Sequence, residues 1–380
     1  MKINKKGNYF NLSKRNTKIE RIDLYKIIKI NKPKEKIIYD LITNMLKERT
    51  KTLNEKDFLL KKAQFYDTTI NLVNIDIKDY YLFNFSLEYI SSKVSFENVK
   101  ELFDDFLKNN IIDEKTLEIE KENYIVKIND LKNSLQDVAY NVLLTKILPN
   151  YYLSYDEIIK LLKEISLKDI NEFMNILSEE KFVFEINYNL DNLNYNLEEK
   201  VIKSNVIYDQ KEEIIEEKNN NEQMNYYMVF ELKKEYSDIQ KQLFNEYFGA
   251  NVNSKLFSII REQKHLCYSV YSRFITKNIL IVFVGLDPLK DNECKEEIIK
   301  IINNINSEKI NVDIFKKQLI NKYEQNQDKY FFHKKLIENH IINNEDYEIN
   351  EIIKKIKNLS TENIKDISNN LKLIKEIKIS

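Results

Sequence analysis

A chain of 380 residues exceeds the size at which single cores stop growing, so two domains are expected. Its 43% apolar and 12% aromatic residues exclude general disorder, and its 32% charged residues cancel to a formal net charge of -1, leaving no global field for nucleic acid or an anionic membrane. No apolar run approaches the roughly 18 to 20 residues of a bilayer span, and the basic start MKINKKGNYFNLSKRNTK has no apolar h-region behind it, so no membrane insertion is expected and the cytoplasm is the expected compartment.

In chain order, apolar spacing of about 3.6 predicts helices over 35–46 and 56–65, and alternation predicts strands over 69–75 and 80–89. Helices over 96–107 and 114–135 follow, and 182–188 alternates like a strand that closes a first domain. The stretch 198–222, with KEEIIEEKNNNEQ at its centre, is charged and Asn-rich and reads as a solvated linker. A strand over 226–232 then opens a second half with helices over 236–247 and 254–263, strands over 267–274 and 279–286, and helices over 295–305 and 312–325.

The order is the same in both halves, helix, helix, strand, strand, helix, long helix, at an offset of about 195 to 200 residues. The echo returns as ISLKDINEF from Ile165 and LSTENIKDI from Leu359, each with a serine placed to cap a helix and Asp or Asn three residues on. The expected fold class is α+β: two homologous repeated domains, each a mostly antiparallel sheet with helices packed on one face. The expected division is 1–195, a linker over 196–222, and 223–380.

Chemistry has few places to reside. The three histidines are His265, His333 and His340, and the last two stand seven apart, two helical turns, where a helical zinc pair stands three or four apart. Cys267 and Cys294 make neither a disulfide framework nor a metal pattern, and Cys267 enters an apolar strand where a core thiol is the ordinary reading. In the polar turn Gly249-Ala-Asn-Val-Asn-Ser254, Gly249 is expected to end one helix in a left-handed conformation, with Asn253 or Ser254 capping the next.

One segment is more specific. FGANVNSKLFSIIREQKHLCYSVYS, from Phe248, followed by LIVFVGLDP, resembles the second-domain signature of the pitrilysin/insulinase zinc metallopeptidases. The shared pattern is a glycine-bearing turn, Ser254-Lys-Leu256-Phe257, Arg261-Glu262, Leu266-Cys-Tyr268-Ser269 and Gly285-Leu-Asp287, about 40 residues in all. The resemblance implies that Arg261 and Tyr268 are substrate-binding residues, and that Gly249, Asn251, Asn253 and Ser254 form a loop at the substrate chamber. A guanidinium and a phenol are both donors suited to a carbonyl oxygen gaining charge in a water-poor chamber.

Catalytic members of that family carry H-x-x-E-H in the first domain, two histidines on zinc and a glutamate on its water. Here the corresponding helix, IIYDLITNMLKERTKT, places Asp40, Thr43 and Asn44 at those positions, and the distal ligand falls near Lys127. No histidine precedes His265, so the family's zinc site cannot be built whatever the register. No catalytic set is complete and no cofactor is expected in this chain. The resemblance implies a non-catalytic subunit of a heterodimer, with zinc in a homologous peptidase partner and peptides as substrates. The alternative is a structural or peptide-binding scaffold with no proteolytic role.

Overall fold

The computed structural model describes residues 1–14, 16–46, 50–190, 195, 197–198, 200, 202, 204–218 and 222–380. They form two compact units, one from Met1–Asp130, Asn150–Val206 and Asp328–Lys334, the other from Leu131–Pro149, Ile207–Gln327 and Lys335–Ser380. Each unit therefore incorporates a segment from the far half of the sequence.

The first sheet contains β1 (Lys2–Lys6), β2 (Tyr9–Ser13), β3 (Ile19–Lys29), β4 (Thr69–Asp76), β5 (Tyr80–Ile90) and β6 (Phe184–Tyr188), in the order β1-β2-β6-β3-β5-β4. The second contains β7 (Glu213–Glu217), β8 (Met224–Leu232), β9 (Ser269–Phe274), β10 (Ile279–Leu286) and β11 (Leu371–Ile379), in the order β7-β11-β8-β10-β9. Every pairing of these strands is antiparallel except β2 with β6 and β7 with β11. With β1 set aside, the two orders are the same, position for position, down to the single parallel pair. The fold is thus α+β with a duplicated, mostly antiparallel sheet.

Most expected elements form close to their predicted bounds, and both serine caps close as capping boxes, Ser166 with Asp169 and Ser360 with Asn363. Three segments differ. The long helix expected over 114–135 ends at Lys132, because Ser134 caps a new helix, Leu135–Ile147, by accepting from Asp137 N–H at 3.3 Å. The stretch read as a linker contains β7, whose pairing with β11 outweighs its acidic composition. The helix expected over 254–263 is wound as a π-helix over Phe257–Gln263.

The central strand β3 escapes a sequence reading because charges interrupt its alternation. Ile22, Leu24 and Ile28 join the core under the helices, with Phe83, Phe85 and Leu87 of β5. The opposite face carries Arg21 and Asp23. Asp23 is fully buried and accepts from Arg21 Nε at 2.7 Å, Arg21 Nη2 at 3.1 Å, Lys334 Nζ at 2.7 Å and the Tyr330 hydroxyl. Arg21 also lies over the ring of Phe331, and Lys334 donates to Asn84 at 2.7 Å. These bonds hold the Arg21 and Asp23 face of β3 to the segment Asp328–Lys334. Burial alone would raise the Asp23 carboxyl, but Lys334 and Arg21 overcome it and keep the group below its usual range.

Strand β11 uses the same device. Its buried Lys375 donates to Asp209 at 3.0 Å and to the Lys211 carbonyl at 2.8 Å, and Lys378 donates to Asp291 at 2.7 Å. Glu376 accepts from Lys295 at 2.6 Å and from the Tyr226 hydroxyl.

Asp23→Ala leaves the buried Arg21 and the half-buried Lys334 without their shared anion, and should lower the urea stability of the first unit by about 3–5 kcal/mol. Glu185 on β6 is fully buried; Asn187 Nδ2 donates to its Oε1 at 2.8 Å while Oε2 has no partner among the described residues, and burial pushes its carboxyl up from 4.5 to about 7. Below pH 4.5 both the folded and unfolded states are protonated there. As pH rises towards 7 the unfolded chain ionises and the folded one does not, so stability should fall by on the order of 3 kcal/mol across that window. Denaturation curves of Glu185→Gln at several pH values should lack that slope.

Candidate functional site

The helix Asp238–Phe248 ends at Gly249, whose N–H donates to the Asn245 carbonyl at 2.9 Å. The expected left-handed cap does not form: φ is -158°. The glycine is needed for closeness instead. Its carbonyl accepts from Ser272 N–H of β9 at 2.9 Å, and a Cβ there would stand 2.8 Å from Ser272 N and 2.8 Å from Leu256 Cδ1, with Ser272 Oγ nearer still. Ser272 Oγ donates to Asn245 Oδ1 at 2.6 Å, which ties helix, turn and strand together.

The turn is held by its own side chains. Asn251 Nδ2 donates to Glu246 Oε2 at 2.6 Å, and Asn251 Oδ1 accepts from Asn253 N–H at 2.8 Å. Ser254 is buried, and its carbonyl accepts from Ser258 N–H at 3.0 Å as the helical winding begins. All four loop residues named from the sequence thus have local structural work.

From Phe257 to Gln263 the backbone takes π-winding, with Lys264 N–H on the Ile259 carbonyl at 2.9 Å. Such turns are rare and recur at functional sites. Ile260 faces the core while Arg261 emerges over the Phe257 ring, 4.8 Å from its centroid, with Glu262 only loosely paired at 3.9 Å. His265 then reverses the chain at φ 54°, its carbonyl accepting from Lys290 Nζ at 3.0 Å. Tyr268 N–H donates to the Gly285 carbonyl at 2.8 Å, and Tyr268 is 57% exposed. Asp287 caps the following turn by accepting from Leu289 N–H at 2.9 Å.

Arg261 and Tyr268 line one open depression of about 400 Å³ with Glu262, His265, Asp287 and Lys290. Its polar groups are donors and carboxylates in a wet setting. Cys267 at its back and Cys294 are free and buried, and burial pushes their thiols up to about 11 and about 12, so neither is a thiolate nucleophile at neutral pH.

In the first unit, Asp40 sits on the helix Pro33–Met45 and accepts from Asn74 Nδ2 at 2.6 Å and from the Tyr81 and Tyr124 hydroxyls, each at 3.0 Å. Burial raises its carboxyl in spite of these donors. Thr43 donates back to the Tyr39 carbonyl at 2.9 Å, and Asn44 is exposed. Lys127 is exposed, while Tyr124, one turn earlier on the helix Glu114–Lys132, reaches Asp40. One carboxylate already met by three donors does not suit zinc, and among the described residues no three of His, Cys, Asp and Glu gather as a metal site. Tyr81 and Tyr124 belong to no motif that a sequence reading would find; the one signal is the position of Tyr124 beside the expected distal ligand.

Residues 157–321, which include Arg261 and Tyr268, match the family model described as peptidase M16 inactive domain. Three solved structures share the fold across nearly the whole chain. A conserved protein from Enterococcus faecalis V583 is 18% identical with a TM-score of 0.84, covering 98% of this chain and 96% of that one. A peptidase M16 inactive domain from Pseudomonas fluorescens is 13% identical with a TM-score of 0.76, covering 100% and 97%. A protease from Helicobacter pylori is 13% identical with a TM-score of 0.76, covering 99% and 98%. No curated protein is significantly similar in sequence. No helix among the described residues is long and apolar enough to cross a membrane.

Gly249→Ala should destabilise the second unit by about 1–3 kcal/mol, because the clash is with backbone. Adding Ser272→Ala removes the Oγ clash but not the one with Ser272 N, so thermal melts should show only partial rescue.

Proposed function

We propose that this chain, whose residues 157–321 match the peptidase M16 inactive-domain model and which carries no H-x-x-E-H motif, acts as the non-catalytic subunit of a heterodimeric zinc peptidase in the cytoplasm. The observation that carries the proposal is the shared placement of Arg261 and Tyr268 at the rim of one open depression, on and just after a rare backbone winding, with neither side chain spent on the core. A scaffold has no use for an exposed guanidinium and phenol held in this way.

In this role Arg261 and Tyr268 bind a peptide carbonyl from the side, the guanidinium as a fixed cationic donor and the phenol as a neutral one. Closure against a partner excludes water and strengthens both contacts. The partner supplies zinc and the glutamate that activates its water. The two free, buried cysteines accord with a reducing compartment.

The test is reconstitution with an H-x-x-E-H homologue from the same organism, assayed on a quenched-fluorescence peptide library. The isolated chain should be inactive and the mixture active. Arg261→Ala and Tyr268→Phe should each lower kcat/KM of the mixture by about 10²-fold, the scale of losing one donor to a developing oxyanion. Full activity of both variants would overturn the assignment, and binding to a non-peptidase assembly instead would favour the scaffold role.

A further inference from the structure

Away from that depression, a pocket of about 230 Å³ opens in the first unit, where β3 and β5 meet the ends of the helices Phe96–Lys108 and Leu167–Glu179. Its charged lining is Lys26, Lys51 and Lys108, and its amides come from Asn110, Asn171 and Asn175. No acidic residue lines it among the described residues. Phe85, Leu107, Ile112 and Met174 supply apolar wall.

Among the described residues, two groups in this pocket are incompletely met. Lys26 is 7% exposed on the core face of β3, and two of its three ammonium protons go to the Leu177 carbonyl at 2.9 Å and the Ser178 carbonyl at 3.3 Å. The rings of Phe182 and Phe85 lie 5.0 and 5.8 Å from its nitrogen. Burial pushes the Lys26 ammonium down to about 8, and Glu180, the acidic side chain that opposes the shift, is itself paired with Lys200 at 3.2 Å. The second group is Asn110 Oδ1, buried and without a hydrogen-bond partner among the described residues. The pocket's lining therefore includes a buried cation, an asparagine whose buried Oδ1 a ligand would reach by a turn of the side chain, and an apolar wall, within a space smaller than the roughly 300–1,000 Å³ of drug-sized sites.

We propose that this pocket binds the C-terminal residue of a peptide with an apolar side chain: the free carboxylate pairs with Lys26, the residue's amide N–H donates to Asn110 Oδ1, and the side chain lies against Phe85 and Met174. A free N-acylated apolar amino acid offers the same three groups. The pocket does not involve Arg261 or Tyr268, so it stands or falls separately from the peptidase role.

The experiment is titration calorimetry, backed by ligand-observed NMR, on the full chain with acetyl-alanyl-leucine, its C-terminal amide and acetyl-leucine. The acid should bind and the amide should bind at least about tenfold more weakly, the scale of one charge-assisted hydrogen bond. Acetyl-leucine matching the dipeptide would identify a single-residue site; a clear preference for the dipeptide would identify a peptide terminus. Lys26→Met should weaken the acid at least about tenfold, the same scale. Asn175→Trp, at an exposed lining position, should block binding with an unchanged melting curve. Equal binding of acid and amide, no binding at about 10 mM (the weak end of measurable affinity), or binding that survives Asn175→Trp would overturn the proposal.

Discussion

A carboxylate with no access to water has to be met by donors, and Asp23 is where the first unit meets that demand most completely. Arg21, Lys334 and Tyr330 converge on it, and two of the three lie in Asp328–Lys334, far away in sequence. Removing one member of such a cluster strands the others at several kcal/mol, whereas the intact cluster adds little net stability. Its effect is specificity: one segment of the second half of the sequence has one place to go.

The same constraint accounts for the surroundings of Asp40 on the helix Pro33–Met45. Asp40 is surrounded by two phenols and an amide, so the space is closed by hydrogen bonds rather than by metal. Where the constraint is not fully met, the structure is informative in another way. Glu185 answers with a carboxyl that burial pushes up to about 7, and Lys26 answers with two backbone carbonyls and a depressed ammonium. Arg261 and Tyr268 lie at the opposite extreme, both exposed, with Arg261 loosely paired to Glu262 at 3.9 Å.

Much of this is legible in the sequence. The duplication appears there as an order of periodicities, and the sheet orders repeat it strand for strand. The absence of H-x-x-E-H needs no structure at all. What cannot be read is set by tertiary pairing. Strand β3 hides its alternation behind Asp23 and Lys26, whose partners Lys334 and Leu177 lie far along the chain, and β7 looks like a linker until β11 is beside it. A local pattern makes Gly249 a left-handed cap, but the glycine serves the approach of Ser272, a contact that no local pattern encodes. The phenols on Asp40 come from a strand and a helix with no spacing rule to join them.

In the proposed role the depression at Arg261 and Tyr268 is half of a peptide-cleaving site. The most direct measurement places a photoreactive group there, as Tyr268→p-benzoylphenylalanine, and irradiates the chain with a peptide substrate in the presence and absence of a zinc-bearing homologue. The expected result is a covalent adduct between this chain and the peptide that depends on the homologue. Adducts that form equally well without it, or none in an active mixture, would rule that role out.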